Sequence, residues 1–320
     1  MKEHQTTTKK HRNTLVRAVL ALLMIALMSA VSMAENLECV LIPEVSALLI
    51  GLWVQNKQAW RINRWQTLLL LPVIAAVAVL VVRCLPAVLP LQMAVVFVVV
   101  AALLMLLHVT LTPAFAVGLL PVMLGTTTVV YPLAVLVLTS LLTLGQYVLD
   151  TAGLRTAIPM QHAVRPTWSN VLRWLWLLVA LLPLIIVADE VQLRFIIAPP
   201  LIVTFVELCN SKGGFRGRLW QTWLMLVLAA AAGGLFRTLF CVQWGLPVPI
   251  ATVATEILVF EMFALFGKRF APAAAMALIP FVVPAQAALW QPLYTAIGAA
   301  YVMAVAFLFF IKKDMKHRQL

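Results

Sequence analysis

Leu111-Thr112-Pro113-Ala114-Phe115-Ala116-Val117-Gly118-Leu119-Leu120-Pro121 returns without a gap as Phe270-Ala271-Pro272-Ala273-Ala274-Ala275-Met276-Ala277-Leu278-Ile279-Pro280. Outward from this pair, other landmarks recur in the same order. Trp65-Gln66-Thr67 comes back as Trp220-Gln221-Thr222, and Pro132-Leu133 as Pro292-Leu293, each of the latter closely preceded by an aromatic, Tyr131 or Trp290. A spacing of about 155 residues, held with small variations, reads as an internal duplication. It aligns residues 15–34 with 169–188. The first half divides into segments 15–34, 37–54, 66–84, 88–108, 113–125 and 127–149, and the second half repeats them between 169 and 311.

The composition says what these segments are for. Hydrophobic residues make up 64% of the 320 and charged residues 11%, against roughly 45 to 50% and about 25% in soluble domains. Mean hydropathy is +1.04, and the apolar runs approach the ~20 residues that cross a bilayer as helix. A soluble protein, a disordered chain and a disulfide scaffold are excluded. The expected fold is an all-α polytopic membrane protein of two parallel repeats, each of about six segments, five long helices plus one short helix. Six crossings per half relate the repeats by a pseudo-two-fold axis along the membrane normal. The corresponding divisions are an N-terminal tail 1–14, a membrane repeat 15–149, a linker 150–168, a second repeat 169–311 and a C-terminal tail 312–320. The fifth segment is short, ~20 Å at the rise of a helix.

The formal charge of +12 comes from cations gathered into short clusters between apolar runs. Lys2, Lys9, Lys10, Arg12 and Arg17 precede the first run; Lys57, Arg61 and Arg64, then Arg155, Arg165 and Arg173, then Lys212, Arg216 and Arg218, Lys268 and Arg269, and Lys312 to Arg318 follow. Placing all of these in the cytoplasm satisfies the positive-inside rule. Glu35, Glu38, Asp189 and Glu190 then lie outside. The expectation is a multi-pass protein of a bacterial-type inner (plasma) membrane with both termini cytoplasmic. Short basic loops supply no folded face for nucleic acid. Residues 1–34 have the layout of a signal peptide ending at Ser32-Met33-Ala34, but their alignment with an internal stretch predicts that this helix is retained.

Chemistry-bearing residues are few. Cys39, Cys84, Cys209 and Cys241 show no C-x-x-C pairing, and His108 alone among the histidines is near an apolar run, so neither a metal nor a cofactor is expected. With no G-x-S-x-G, H-E-x-x-H, Walker loop or G-x-G-x-x-G in the chain, an enzyme is not expected either. The short segments open at Thr110-Leu111-Thr112-Pro113 and Arg269-Phe270-Ala271-Pro272. Proline in the first turn after a capping residue such as Thr112 starts a helix, and a helix starting within the membrane offers N–H groups and a positive dipole end to a small anion. Alternatively, these prolines simply begin tightly packed helices.

Ionisable residues inside apolar runs are Glu44, Arg83, Glu207, Arg237, Glu256 and Glu261. A charge at membrane depth is costly unless paired or wet, which makes each a functional candidate. Glu207 and Arg83 lie near helix ends and can snorkel. Glu256, Glu261 and Glu44 are the proton-coupling candidates, and Arg237 is a natural partner for one of them, in a relay or in a structural clamp. Thr126, Thr127, Thr128 and Gln286 follow the short segments and either line a path or return hydrogen bonds to the backbone. Trp53, Trp60, Trp65, Trp174, Trp176, Trp220, Trp223 and Trp290 read as an aromatic belt.

The blocks from Leu107 to Leu120 and from Phe266 to Ile279 resemble the signature region of the HPP family of integral membrane proteins. That family carries His-Pro-Pro followed by small residues; here Thr112-Pro113-Ala114 and Ala271-Pro272-Ala273 stand in its place, with one proline each and no histidine. The resemblance implies a tandem of two such modules and, by association with plastid nitrite transporters, small-anion transport. A second resemblance, to the six-helix membrane halves of fusaric-acid-resistance and aromatic-acid exporter proteins, implies organic-anion efflux. The resulting expectation is a transporter or channel for a small anion, nitrite-like or a small carboxylate. Its site would lie between the repeats at Thr110, Thr112, Pro113, Ala271, Pro272, Thr126, Gln286 and Arg237. A non-transporting scaffold or accessory subunit is the alternative. Expected partners are the lipid bilayer and the small anion, and a homo-oligomer is compatible with the sequence.

Overall fold

The computed structural model describes residues 2–35, 38–55, 58–85, 88–155, 168–210 and 215–311, with side chains from Arg12 onward. Most of the linker, 156–167, and the tail 312–320 lie outside the described residues. Twelve helices follow one another, with no strand among the described residues. Eight are long and apolar enough to cross a membrane: α1 (Lys2–Ala34, its apolar part Arg12–Ala34), α3 (Arg64–Cys84), α4 (Leu89–Leu106), α6 (Val130–Thr151), α7 (Trp168–Glu190), α9 (Leu219–Gln243), α10 (Val248–Phe266) and α12 (Ala285–Ile311). Four are short: α2 (Glu44–Val54), α5 (Pro113–Leu124), α8 (Pro199–Asn210) and α11 (Ala271–Phe281).

The short helices are the core. Every residue of α2 is buried, as are all of α5 except Leu124, all of α8 except Glu207 and Asn210, and Ala271–Leu278 of α11. Only helices apolar on all sides can occupy such a place. At 1.5 Å per residue they span ~16–18 Å, far less than the ~30 Å of hydrocarbon, and the long helices wrap them. Those long helices turn large apolar side chains outward, Leu265 being 83% exposed and Leu15 65%, as a lipid-facing surface requires. The second segment, expected as a crossing helix over 37–54, is instead a short turn, Glu38–Val40, and the short α2. Each half therefore has four long helices and two short ones, rather than five and one.

Proline sets where the short helices begin. Pro43, Pro113, Pro199-Pro200 and Pro272 stand at or next to their first positions, where a missing N–H costs nothing and the fixed φ suits the helix. Long-helix starts have their own chemistry. Asn63 and Gln66 form a capping box, with Asn63 Oδ1 accepting from Gln66 N–H at 2.9 Å and Gln66 Oε1 accepting from Asn63 N–H at 3.1 Å. Thr67 Oγ1 adds a bond to Asn63 O at 3.0 Å, and Thr222 bonds Arg218 O in the same way at 3.2 Å. The recurring Trp-Gln-Thr is thus a start signal for α3 and α9, with Trp65 and Trp220 facing outward.

Packing crosses between the halves. α1 lies on α10 and α2 on α11, while α7 lies on α4 and α8 on α5; α3 packs on α5 and α6, and α9 on α11 and α12. Two of the tryptophans expected in the belt are interior: Trp53 and Trp60 are 5% and 6% exposed. Trp53 donates to Leu142 O at 3.0 Å, which joins α2 to α6. Trp65, Trp176, Trp220 and Trp290 do face outward.

Candidate functional site

The last carbonyls of a short helix have no partner within it, and where water does not reach them each must find another donor. Arginines supply them. At the end of α2, Arg17 Nη1 donates to Trp53 O and Gln55 O, both at 3.2 Å, and Arg269 Nη1 to Val54 O at 3.0 Å. At the end of α8, Arg216 donates to Leu208 O at 2.5 Å and Cys209 O at 2.7 Å, joined by Arg173 on Cys209 O. Beyond α5, Arg83 Nε reaches Thr127 O at 2.5 Å. At the end of α11, Arg237 bonds Pro280 O, and Val283 O at 2.5 Å. Cations are also what the negative end of a helix dipole favours. Arg17 is only 2% exposed; Arg17→Met is expected to lower stability by about 3 kcal/mol, the loss of charged hydrogen bonds to buried carbonyls, read as a lower melting temperature in detergent.

These contacts sort the expected site residues into two groups. Thr110, Thr112, Pro113, Ala271 and Pro272 lie at one end of the core, beside the ends of α2 and α8. There Thr110 Oγ1 accepts from Arg61 N–H at 2.9 Å, and Gln55 Nε2 donates to Arg269 O at 3.2 Å. Burial holds the Arg269 guanidinium below its ordinary value. Thr126, Gln286 and Arg237 lie at the other end, a short helix away, ~16–18 Å. Thr126 serves the backbone, its N–H bonding Pro121 O at 2.8 Å past the left-handed Gly125, and Gln286 is exposed at the start of α12.

The N-terminus of α5 differs from the open anion cradle expected of it. Pro113 has no N–H, Ala114 N–H bonds Leu111 O at 3.2 Å, and Phe115 N–H bonds Thr112 O at 3.1 Å. Thr112 does not cap this helix; its Oγ1 donates to Glu207 Oε1 at 2.7 Å, which Trp60 Nε1 also reaches at 3.2 Å. Glu207 therefore places a carboxylate of the protein itself at that dipole end, instead of snorkelling to the surface. In α11, Ala273 N–H likewise turns back to Phe270 O at 3.0 Å.

The remaining glutamates separate by burial. Glu261 is exposed on α10 and does not share the face of Glu256. Glu44, in the first turn of α2, is 0% exposed and neither carboxylate oxygen has a hydrogen-bond partner among the described residues. Nearby in the same core, the Tyr131 hydroxyl donates to Val117 O at 2.7 Å. Glu256, at mid-depth on α10, is also 0% exposed. Its Oε1 accepts from Ser46 Oγ at 2.6 Å, across the boundary between the halves, while Oε2 has no partner. Arg237, proposed by the sequence as partner to a glutamate, caps α11 instead, and neither Glu44 nor Glu256 makes an ion pair among the described residues.

Two further features frame this pair. An apolar crevice of about 260 Å³ between α1 and α6, lined by residues such as Leu27, Met28, Leu133 and Val137, offers nothing to a charged solute. Among the described residues no three potential metal ligands come together. The fold and its interior define a class, an all-helical protein with eight helices long and apolar enough to cross a membrane, compatible with a multi-pass membrane protein, and two buried acids, Glu44 and Glu256, without an ion pair among the described residues. Compared with known proteins, the chain matches no family model, no curated protein and no solved structure.

Proposed function

We propose that this protein is a membrane carrier that moves a small anion, nitrite-like or a small carboxylate, together with a proton held in transit by Glu256 and Glu44. The observation that carries the reading is the pair itself. An isolated ionised carboxylate at membrane depth costs many kcal/mol, so an unpaired one persists by taking up a proton. Such an acid is a point where a proton can be loaded and released. The arginine caps bear on the anion. Arg17, Arg173, Arg216 and Arg269 at one end of the core, and Arg83 and Arg237 at the other, give both approaches a positive potential.

The two halves are parallel copies in this reading. Its support is that each packing pair of the first six helices has a counterpart six helices on, α3 on α6 with α9 on α12, and α2 on α11 with α8 on α5. The HPP-like blocks are then α5 and α11. The basic end of the core, which carries Arg61, Arg64, Arg155, Arg216, Arg218 and Lys268, is placed in the cytoplasm. There Arg64 and Arg155 hold Asp150 at 2.5 and 3.3 Å.

The test is solute uptake into proteoliposomes under an inward proton gradient, with nitrite, nitrate, formate and small aromatic carboxylates in turn. Uptake of at least one above empty vesicles, rising as the outer pH is lowered, is the expected result. Well-folded protein that moves none of them would favour the scaffold alternative.

A further inference from the structure

A gap walled by carbon favours an apolar filling, because side chains with no atoms opposite them forfeit dispersion contacts. The crevice of about 260 Å³ between α1 and α6 is such a gap. Its floor is interior: Met28 and Ala134 are buried and Leu138 is 6% exposed. Its rim faces out, with Leu27 and Val137 exposed and Leu133 58% exposed, so it opens on the surface that the long helices turn to lipid. We propose that this crevice holds one acyl chain of a phospholipid from the leaflet at the Ala34 end of α1. The inference needs only that the protein lies in a bilayer, and it is independent of whether an anion is carried.

Length chooses the occupant. From Val130 to Leu141 the crevice follows α6 for ~16 Å, close to one leaflet, which is half of the ~30 Å hydrocarbon core. Its outer end is where Val130 begins α6 and where Val31, one turn before Ala34, also lines it. A helix of that length, ~10 Å across, occupies on the order of 1,000 Å³, several times the crevice. A single flexible hydrocarbon chain needs only a narrow channel. The lining is apolar throughout, so the headgroup stays outside, beyond Val31 and Val130.

The corresponding seam in the other half is closed by the protein itself. Tyr301 on α12 donates to Ala180 O on α7 at 2.9 Å. Aligned from Pro132 on Pro292, Leu141 stands where α12 has Tyr301, and the pairing of 15–34 with 169–188 puts Ala26 where α7 has Ala180. Leucine has no hydroxyl to give, so α6 lacks the means to make that bond to α1. Glu38–Val40 packs on both helices and Val40 reaches the crevice; the acyl chain fills the rest of the seam. It thereby braces α1, which in turn lies on α10 of the other half.

The experiment is photolabelling in phosphatidylcholine vesicles that contain a phosphatidylcholine with a diazirine on one acyl chain, the adducts being located by peptide mass spectrometry. Adducts are expected on the floor residues Met28, Ala134 and Leu138 as well as on outward residues such as Leu80 of α3. A diazirine close to the glycerol should mark Val31 and Val130, and one close to the terminal methyl should mark Leu138 and Leu141. Ala134→Phe puts a ring into the crevice and should cut floor labelling by about tenfold or more, with Leu80 labelled as before. Val137→Trp, on the exposed rim, blocks the mouth without entering the core and replaces Ala134→Phe if melting shows that variant misfolded. Labelling confined to the rim would overturn the proposal, as would floor labelling that folded variants leave unchanged or a reversed order of depth along the chain.

Discussion

Glutamine in place of Glu256 is expected to reduce proton-driven anion uptake by on the order of a hundredfold, the scale on which a positioned proton-transfer group acts, with little change in stability. Glutamine keeps the volume of the side chain, and its carbonyl oxygen still accepts from Ser46 Oγ, the only hydrogen bond that Glu256 makes among the described residues. What it loses is the exchangeable proton. A purely structural Glu256 would therefore tolerate the change, since a neutral amide at 0% exposure is no worse placed than a carboxylic acid. Glu44→Gln is expected to behave alike. Uptake down a concentration gradient alone, with no pH difference across the membrane, distinguishes a carrier that has lost its coupling from one that has lost its substrate site.

The second large effect is on folding. A Cβ at Gly233 on α9 would lie 1.9 Å from Ala277 O and 2.9 Å from Pro280 Cγ; at Gly298 on α12 it would lie 2.2 Å from Ile196 O. In both places a long helix touches the backbone of the interior elements, and a carbonyl cannot swing aside as the end of a side chain can. Gly233→Ala and Gly298→Ala should each destabilise by about 3 kcal/mol or more, at the upper end of overpacking costs. Gly217→Ala, with no atom within 4 Å of the added carbon, should stay within about 0.5 kcal/mol. Melting of the three variants in detergent checks this. Equal melting temperatures would mean that α9 and α12 do not approach the core as closely as described.

Much of the architecture can be read from the residues, for identifiable reasons. Runs such as 64–84 and 89–106 are long enough to be recognised by length alone, and proline followed by alanines marks α5 and α11. The segment 37–54 misleads, because a helix surrounded by protein and a helix surrounded by lipid are equally apolar. Only Pro43, and Pro199-Pro200 in the other half, hint that α2 and α8 start late. Arg83 reads as a snorkelling residue and Arg237 as a partner for a glutamate, yet both serve the carbonyls of helix ends, which no side-chain pattern displays. Trp53 and Trp60 look like belt residues since the same amphipathic ring suits an interface and a buried carbonyl or carboxylate. Glu207 looks exposed because it is near the end of a segment; that end is itself inside the molecule, against Thr112. Glu44 and Glu256 can be picked out by their depth within apolar runs, but that neither pairs with a cation among the described residues depends on the fold.

The central claim is that an anion and a proton cross together, and it is tested most directly by recording both in one preparation. Proteoliposomes holding a trapped pH indicator would be given the anion that the uptake screen identifies, with a membrane-potential clamp in place. Acidification of the interior in step with anion uptake, absent in Glu256→Gln vesicles, is the predicted result. Anion uptake that leaves the internal pH unchanged would contradict it.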